Sequence, residues 1–486
     1  MRAFYVTTTL PYVNAEPHIG FALEIVQADI IARYRKLLGD HVFFNTGTDE
    51  HGMKIFRKAQ EEGKDPQAYT DEYAAKFHSL KERLGLYPEL HFIRTTNLHH
   101  KAGAQEFWKR CAKDIYKKKY KGLYCVGDEA FLKESELVNG KCSNHPTMDP
   151  VEIEEENYFF RLSAYQDKLL VYLSKEGVIV PEWRRLEAIK FVKSGLEDFS
   201  ISRDKSRMSW GVPVPGDDTQ VMYVWFDALT NYITTLGWPF DSLRQSSGQA
   251  AQGKPDLFEK FWVKGETLQL AGKDQVRFQS IMWQAMLMSA GLPTTKRIFY
   301  HGFITSGGQK MSKSIGNVLD PMTIVDEYGA DALRYYLARH VHPFEDSDVT
   351  MEKFKEAYNA DLANGLGNLT ARVMQLAETN FYEPVKVEFV PYPKEFTGAL
   401  DTFNINEAVE YVVTRIQALD QKINQTEPFK VVNVDVEKGK KLIAELVREL
   451  AAIDLMLEPI LPQTSGKIIN AIVANKKPEN LFPRKE

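Results

Sequence analysis

The sequence is poor in cysteine and has no long apolar run. Only three of its 486 residues are cysteines: Cys111, Cys125 and Cys142. So few cysteines disfavour a disulfide framework and fit a reducing compartment, so we expect a cytoplasmic protein. No uninterrupted apolar stretch reaches the roughly 18 residues that indicate a membrane span, so we expect no membrane partner. The first residues also lack the apolar core and small-residue cleavage site of a signal peptide.

Charge of neither sign dominates the composition. Lysine and arginine number 61 against 66 aspartates and glutamates, which gives a net charge of −5. A polyanionic partner would therefore have to be held by local basic patches, because the overall charge does not attract it. With 44% hydrophobic and 26% charged residues, the composition is typical of globular proteins, and about 150 residues per domain predicts roughly three domains.

The start of the chain alternates between strand and helix patterns. Residues 4–10 alternate and are rich in β-branched and aromatic types, which predicts a strand. Apolar residues then recur with helical spacing from Phe21 to Leu38, and residues 41–45 predict a second strand. This order predicts a parallel sheet. The loop at residues 11–17 follows the first strand, at the sheet edge where ligands bind in open α/β folds.

The later parts of the chain follow different patterns. Residues 115–210 open with a lysine run and carry acidic clusters, which we interpret as an insertion into the sheet domain. The α/β pattern returns at residues 221–225 and 297–305. After about residue 350, helical periodicity takes over in two long stretches, at Ile405, Ala408, Val409, Val412, Ile416, Leu419 and Ile423, and at Leu442, Leu446, Leu450 and Ile453.

These patterns predict an α/β fold class with three kinds of region. A Rossmann-like parallel-sheet domain comprises residues 1–114 and 211–350, and residues 115–210 form a connective insertion within it. Residues 351–486 form an all-α helical bundle.

Two short motifs carry the chemical signal. Pro17, His18, Ile19 and Gly20 stand in the loop before the first helix, where free N–H groups and the helix dipole favour phosphate. Lys310, Met311, Ser312, Lys313 and Ser314 follow Gly307 and Gly308, which allow a loop to move. Alone, such a histidine is typically a helix cap, and such a loop is typically a solvated surface. Together they indicate ATP-dependent adenylate chemistry, which needs positioning and stabilisation of phosphate charge.

The first motif resembles the His-Ile-Gly-His signature of class I aminoacyl-tRNA synthetases, and the second matches their other signature in full. The wider sequence is similar to the methionyl-tRNA synthetase family from residue 4 to about residue 460. The similar stretches are residues 10–20, 46–52, 223–228 and 272–274.

The resemblance implies an ATP site with magnesium as the accompanying ion. It assigns catalytic roles to His18, Lys310 and Lys313. It places around ATP the residues His18, Gly20, Gly272, Asp274, His301, Lys310, Met311, Ser312, Lys313 and Ser314.

The resemblance also implies a pocket for L-methionine with apolar and aromatic walls. Its residues would be Leu10, Tyr12, Asp49, Trp225, Ala228, Tyr232, Phe278, Gln279 and Trp283. Asp49 would take the α-ammonium group, and aromatic edges would favour the sulfur by about 0.3–1.5 kcal/mol each. The alternative for the aromatic residues, and for Trp225 on its apolar predicted strand above all, is an ordinary core.

Two positions depart from the family pattern. Phe21 stands where the second histidine of the first signature is usual, and phenylalanine cannot donate to phosphate. Loss of one transition-state donor can cost about a hundred- to a thousandfold in rate. Gln279 stands where the family usually has a pocket histidine, although an amide can still form hydrogen bonds. Both departures bear on efficiency more than on reaction class.

The predicted insertion carries Cys125 and Asp128, followed by Cys142 and His145. Family members often hold zinc here with two pairs of cysteines at this spacing. Aspartate and histidine are also zinc ligands, so these four residues could form a closed structural site. A metal-free knuckle held by packing is the alternative, and the sequence leaves both open.

The helical last third resembles the family's anticodon-binding bundle. Asn368 and Arg372 lie four residues apart, on one face of a helix, and would read unstacked anticodon bases. Phe429 would replace the family's stacking tryptophan. The lysines at 117–121 fit either contact with the acceptor stem or a solvated charged face. The chain ends soon after the bundle, without the appended domain of some relatives, so we expect a monomer.

The resemblance therefore predicts methionine activation by ATP and transfer of methionine to its tRNA. One rival hypothesis is a class I synthetase for another apolar amino acid, although the sequence has no large editing insertion. The other is a tRNA-binding paralogue without catalysis, suggested by Phe21 and Gln279. The lysine motif and Asp49 argue against it, since binding of tRNA alone does not need them.

Overall fold

The computed structural model describes residues 2–126, 130–132, 137–143, 146–239, 256–311, 319–388 and 390–485. The chain divides into two compact units. The sheet unit comprises Met1–Glu16, Gly39–Ser79 and Glu89–Tyr300, and the helical unit comprises Pro17–Leu38, Leu80–Pro88 and His301–Glu486.

Among the described residues, the strands in chain order are β1 (Ala3–Thr7), β2 (His41–Thr48), β3 (His91–Arg94), β4 (Ile115–Cys125), β5 (Ala130–Leu132), β6 (Leu137–Val138), β7 (Lys141–Cys142), β8 (Val151–Phe160), β9 (Ile179–Val180), β10 (Phe199–Ser200), β11 (Ser202–Asp204), β12 (Pro213–Val214), β13 (Asp217–Met222), β14 (Glu266–Gly272), β15 (Arg297–His301), β16 (Ile304–Ser306), β17 (Gln309–Lys310) and β18 (Ser347–Asp348).

The α-helices are α1 (Ile19–Leu37), α2 (Met53–Glu61), α3 (Pro66–Arg83), α4 (Leu98–Cys111), α5 (Gln166–Leu173), α6 (Glu182–Lys193), α7 (Val224–Leu229), α8 (Asn231–Thr234), α9 (Trp283–Ser289), α10 (Pro321–Tyr328), α11 (Ala330–Arg339), α12 (Met351–Ala357), α13 (Asn368–Asn380), α14 (Lys394–Asp401), α15 (Ile405–Thr426), α16 (Pro428–Val434), α17 (Val436–Leu457) and α18 (Pro462–Ala474). Segments of π-helix span Phe258–Val263, Phe278–Met282 and Tyr358–Gly367. None of the described helices combines the length and the apolarity that crossing a bilayer requires.

A parallel sheet with the strand order β3-β2-β1-β14-β15-β9 forms the centre of the sheet unit. Strand β1 pairs in parallel with β2 on one side and β14 on the other. All of β2 after its first residue is buried, as expected for a strand covered on both faces. The predicted parallel sheet is thus confirmed. Strand β9 lies inside residues 115–210, so this stretch also contributes an edge strand to the central sheet.

Antiparallel sheets occupy other parts of the sheet unit, with the strand orders β10-β8-β4-β5 and β11-β13-β12. The prediction of a strand over residues 221–225 was wrong in its bounds and in its sheet. Strand β13 is antiparallel and ends at Met222, and Trp225 lies on helix α7 instead. A run of five apolar residues fits a strand and a buried helix equally well, so periodicity could not separate them.

Tightly packed aromatic residues dominate the core of the sheet unit. Phe107 contacts Trp283 and Phe226 at ring-centroid distances of 5.5 and 5.8 Å. Trp262 and Trp283 are among the largest fully buried side chains. Such rings contribute large buried apolar areas, and Trp262 and Trp283 also meet edge to face with ring centroids 6.2 Å apart.

Helices predominate in the helical unit after β18, as the sequence predicted. On α15 the periodic apolar residues from Ile405 to Ile423 are all buried, which confirms the helical face read from the sequence. On α17 Leu446, Leu450 and Ile453 are buried in the same way. The α/β class with a helical carboxyl-terminal region is therefore confirmed.

Candidate active site

Two backbone hydrogen bonds join the loop after β2 to the loop after β1. Asp49 donates its backbone N–H to Pro11 O at 3.0 Å, and its carbonyl accepts from Val13 N at 3.2 Å. This is an isolated parallel bridge between Tyr12 and Asp49, and Asp49 is only 5% exposed. Because β1, β2 and β14 are parallel, the two loops share the carboxyl edge of the sheet with Gly272, the last residue of β14.

Predicted pocket residues of the sheet unit contact one another in pairs. Trp225 and Phe278 stack with ring centroids 3.9 Å apart and an interplanar angle of 13°. Tyr232 packs on Trp283 at 5.8 Å, and its hydroxyl accepts a hydrogen bond from Gln279 Nε2. Leu10, Tyr12, Trp225 and Phe278 are partly buried, and Ala228 is buried. Four aromatic residues predicted for the pocket therefore contact one another as two pairs, and their role as pocket walls stays a prediction.

Two buried polar atoms among these residues have no hydrogen-bond partner within the described chain. They are Gln279 Oε1 and the indole nitrogen Nε1 of Trp283. Buried polar groups are nearly always paired, so unpaired ones beside partly exposed aromatic rings are typical of a site that receives a ligand.

Asp274 follows β14 in a short 3₁₀ turn, Lys273–Gln275, and is exposed. Its Oδ2 accepts a hydrogen bond from Gln275 Nε2 at 2.6 Å. The turn continues from Gly272, so both residues predicted for ATP from this segment lie at the carboxyl end of a central strand, where open α/β sheets bind ligands.

Sequence reasoning missed a buried network beside Asp49. Glu50 is fully buried and accepts from Arg94 Nε and Nη2 at 2.6 and 2.9 Å. Its carboxylate also accepts from the hydroxyls of Thr48 at 2.6 Å and Thr96 at 2.5 Å. Charge-assisted, bidentate pairs of this kind are the strong ones, so Glu50 anchors the loop that carries Asp49. The strand-end position of Thr-Asp-Glu-His was a signal that could have found it.

A second missed cluster centres on Asp227, which is 0% exposed. His51 Nδ1 lies 2.5 Å from Asp227 Oδ2, and His100 Nε2 lies 2.8 Å from Asp227 Oδ1. Burial by itself would raise the pKa of Asp227, but the two imidazoles outweigh it and hold that pKa below its usual range. A charged residue within the apolar run Val224–Leu229 was the only sequence signal.

In the helical unit, His18 is the N-cap of α1. Its Nδ1 accepts a hydrogen bond from Gly20 N at 3.1 Å, so in the neutral ring Nε2 carries the proton and can donate. A side chain at position 20 would meet the His18 ring at 3.0 Å, which explains glycine there. Phe21 is buried in the first turn, so its ring belongs to the core of this unit.

His301 is buried and both of its ring nitrogens have partners. Nδ1 donates to Gly302 O at 2.7 Å, and Nε2 lies 2.9 Å from Glu24 Oε2. The predicted contact of His301 with ATP would therefore have to displace or share one of these two partners.

The lysine motif begins where β16 and β17 form a hairpin. Thr305 pairs with Lys310 in this hairpin, and Gly307 and Gly308 make its turn with φ of +63° and +73°. Positive φ strains other residues, which accounts for the two glycines. Met311 is partly buried, whereas Ser312, Lys313 and Ser314 lie outside the described residues.

Two of the four predicted zinc ligands are described. Cys125 ends β4 and Cys142 ends β7, and both are buried thiols. Buried thiols suit a closed structural site. Asp128 and His145 lie outside the described residues, so the ligand set stays a prediction.

The predicted anticodon residues of the helical unit lie on two neighbouring parts of the bundle. Asn368 is exposed and begins α13. Arg372, one turn later, donates to Asp420 and, at 2.8 Å, to Asn424 Oδ1 near the end of α15. Phe429 is 44% exposed on α16, which follows directly. An exposed amide, an oriented guanidinium and an exposed ring are suited to contacts with unstacked bases.

Two of the four lysines in the run on β4 pair with acids of the same unit. Lys117 Nζ lies 2.8 Å from Asp217 Oδ2, and Lys121 pairs with Glu152 on β8. Cross-strand pairs of opposite charge stabilise a sheet modestly. This pairing favours a solvated charged face over an acceptor-stem contact.

Comparison with known proteins bears on the whole chain. A family profile described as tRNA synthetases class I (M) matches residues 4–149 and 137–374. A methionine–tRNA ligase of Thermotoga maritima is 39% identical over 98% of this chain and 76% of its own length. One of Mesorhizobium japonicum is also 39% identical, over 99% of this chain and 97% of its own. The Mycobacterium tuberculosis methionyl-tRNA synthetase in complex with methionyl-adenylate is 34% identical and superposes with a TM-score of 0.86, covering 100% of this chain and 99% of the other. The chain belongs to the class I methionyl-tRNA synthetase family.

Proposed function

We propose that the protein is a methionine–tRNA ligase. It forms methionyl-adenylate and pyrophosphate from L-methionine and ATP, and then transfers the methionyl group to the 3′-terminal adenosine of methionine tRNA. The observation that carries this proposal is the bridge between Tyr12 and Asp49, which joins two loops at the carboxyl edge of the parallel sheet. The relatives named above are methionine–tRNA ligases, and one is described in complex with methionyl-adenylate.

Methionine recognition needs a carboxylate for the ammonium group and soft apolar walls for the thioether. Asp49 is buried, so an ion pair with the ammonium would be only weakly screened by solvent. Trp225, Phe278 and Trp283 offer ring edges to the sulfur. The indole N–H of Trp283 is without a partner in the described chain and can donate to a weak acceptor such as sulfur.

Activation of the carboxylate requires that charge on the ATP phosphates be neutralised while the α-phosphorus is attacked. His18 Nδ1 accepts from Gly20 N, so Nε2 of the neutral ring would donate to phosphate, at a helix start that itself favours phosphate. Lys310, at the end of β17, and Lys313, which lies outside the described residues, would supply positive charge to the phosphates. Magnesium would accompany ATP and supply further positive charge at its phosphates. Gly20, Gly272, Asp274 and His301 complete the proposed ATP site.

Transfer of the methionyl group requires tRNA binding, for which we propose the helical bundle. Asn368 and Arg372 would read anticodon bases, and Phe429 would stack on one of them. We propose a cytoplasmic monomer whose segments are the catalytic halves 1–114 and 211–350, the insertion 115–210 and the anticodon domain 351–486. Zinc held by Cys125, Asp128, Cys142 and His145 would brace the insertion.

The test is methionine-dependent exchange of labelled pyrophosphate into ATP, with isoleucine, valine and leucine as controls. Exchange with methionine alone is the expected result. Exchange with another apolar amino acid would instead indicate a class I synthetase that is specific for that amino acid. No exchange with any amino acid, from protein that circular dichroism shows to be folded, would favour the non-catalytic tRNA-binding alternative that Phe21 and Gln279 suggest.

A further inference from the structure

The cluster around Asp227 joins three segments that each carry predicted pocket residues. His51 follows Asp49 by two positions in the loop after β2. Asp227 lies on α7 between Trp225 and Ala228. His100, on α4, contacts both Asp227 and α8, the helix that carries Tyr232.

The contacts form one chain of hydrogen bonds. His51 Nδ1 lies 2.5 Å from Asp227 Oδ2, His100 Nε2 lies 2.8 Å from Asp227 Oδ1, and His100 Nδ1 lies 2.8 Å from Thr234 Oγ1. With an ionised Asp227, both imidazoles donate to the carboxylate, and the Thr234 hydroxyl donates to Nδ1 of a neutral His100. Each of the four side chains is at most 2% exposed, so water does not weaken these bonds.

We propose that Asp227 is a positioning residue for the amino-acid pocket. Through His51 it holds the loop that carries Asp49, the proposed partner of the ammonium group, and through α7 it holds Trp225 and Ala228. The proposal rests on the proposed function. The link to His51 fixes the distance between Asp49 and the wall formed by Trp225 and Ala228, and His100 extends the same link to Tyr232. Asp227 does not itself need to touch the substrate.

The geometry selects substitutions that separate positioning from bulk structure. His51→Ala removes the donor to Asp227. His51→Asn keeps a donor close to the position of Nδ1, so it should rescue the link. His99→Asn is the matched control, because His99 is the exposed neighbour of His100 on α4.

The first readout is the dissociation constant of methionine without ATP, measured by tryptophan fluorescence, because Trp225 and Trp283 lie among the pocket residues. His51→Ala should weaken methionine binding about 10- to 100-fold, the loss expected when one charge-assisted contact to the substrate is misplaced. His51→Asn should recover most of this loss, and His99→Asn should match the unmodified protein.

The second readout is the exchange reaction, with KM determined separately for methionine and ATP. His51→Ala should raise KM for methionine while KM for ATP stays within about twofold, the pattern of a defect confined to one substrate. A folded His51→Ala variant with methionine binding within about threefold of the unmodified protein would overturn the proposal. Equal losses for methionine and ATP would also overturn it, because they indicate a general structural role.

Should His51→Ala fail to fold, Asp227→Asn provides the same test with nearly unchanged volume. Its amide can accept from one imidazole but must donate toward the other, which forces a change of tautomer. Weakened methionine binding with unchanged ATP is again expected. Absence of exchange in the unmodified protein would contradict the proposed function, whereas unaltered methionine affinity in the variants would contradict only the positioning role.

Discussion

Two buried aspartates, one in each unit, respond to burial in opposite ways. Asp227 in the sheet unit is 0% exposed and Asp454 in the helical unit is 4% exposed. Burial would raise both pKa values, but two imidazoles reverse the direction at Asp227. At Asp454, burial and the nearby negative charge of Glu458 raise the pKa to about 7, because together they outweigh the hydrogen bond from Ser465, which lowers it. Partner chemistry, and not depth, therefore decides whether a buried carboxyl group is an anion.

A third buried aspartate tests this comparison inside the helical unit. Asp29 Oδ2 lies 2.7 Å from both Arg33 Nε and Arg334 Nη2, and its Oδ1 accepts from Tyr87 N at 2.5 Å. Arg334 is fully buried and also donates to Ile460 O at 2.8 Å. Asp29 is thus as buried as Asp454 but has cationic partners.

Removing Arg334 should have the largest effect on stability. Arg334→Met should lower the free energy of unfolding by about 3–5 kcal/mol, because it removes one of the two cationic partners of a buried carboxylate and also the donor to Ile460 O. Urea denaturation followed by circular dichroism measures the change. Arg83→Met is the control, because Arg83 pairs with exposed Asp326 and should cost at most about 1 kcal/mol. Similar losses of stability in both variants would show that burial does not make the ion pair of Arg334 more important for stability than the exposed pair of Arg83.

Asp454 should make the folded protein less stable as pH rises, which is the opposite of the usual effect of a carboxyl group. Its folded pKa lies above the unfolded value of about 3.9, so the folded state holds the proton longer and stability falls as pH rises from about 4 to about 7. Asp454→Asn should remove this fall and stabilise the protein at pH 8 by roughly 2–4 kcal/mol. Urea midpoints between pH 4 and 8 provide the measurement. Glu437→Gln, an exposed change on α17, should keep the slope, and an unchanged slope in Asp454→Asn would refute the assignment.

Asp227 should show the opposite dependence. Its folded pKa is depressed, so its contribution is present above the unfolded pKa of about 3.9 and is lost as pH falls further. In Asp227→Asn the loss of stability below about pH 4 should be shallower by up to about 1.4 kcal/mol per pH unit. Thermal unfolding in a pH series measures this. Identical slopes in the two proteins would mean that the pKa of Asp227 is the same in the folded and unfolded states, which would contradict this prediction.

Gln279 should give the smallest effect. Gln279→His offers an imidazole Nε2 where the amide now donates to Tyr232, so the bond to Tyr232 can persist. We expect KM for methionine in the exchange reaction to change by less than about tenfold, or about 1.4 kcal/mol. A greater change would show that this departure from the family pattern sets methionine affinity. Gln275→His, at a partly buried position in the turn after β14, controls for added imidazole.

Periodicity and motif order went far in predicting this molecule. They predicted the parallel sheet, the buried face of α15 and the place of His18 at the start of a helix, because each depends on residues close in sequence. They failed at Trp225, since a short apolar run has no period long enough to separate strand from helix. The roles of the site residues stay predictions that the experiments above address.

Local patterns in the amino-acid sequence were enough to predict the class of fold and the motifs that suit phosphate, and they supplied a set of residues predicted to hold methionine. Which buried polar groups meet depends on the three-dimensional packing. Asp227 is 176 residues from His51 and 127 residues from His100 along the chain, yet the three side chains form one cluster. No local pattern encodes such a meeting, because it follows from packing the helices and loops around the sheet core, where most buried polar groups are paired.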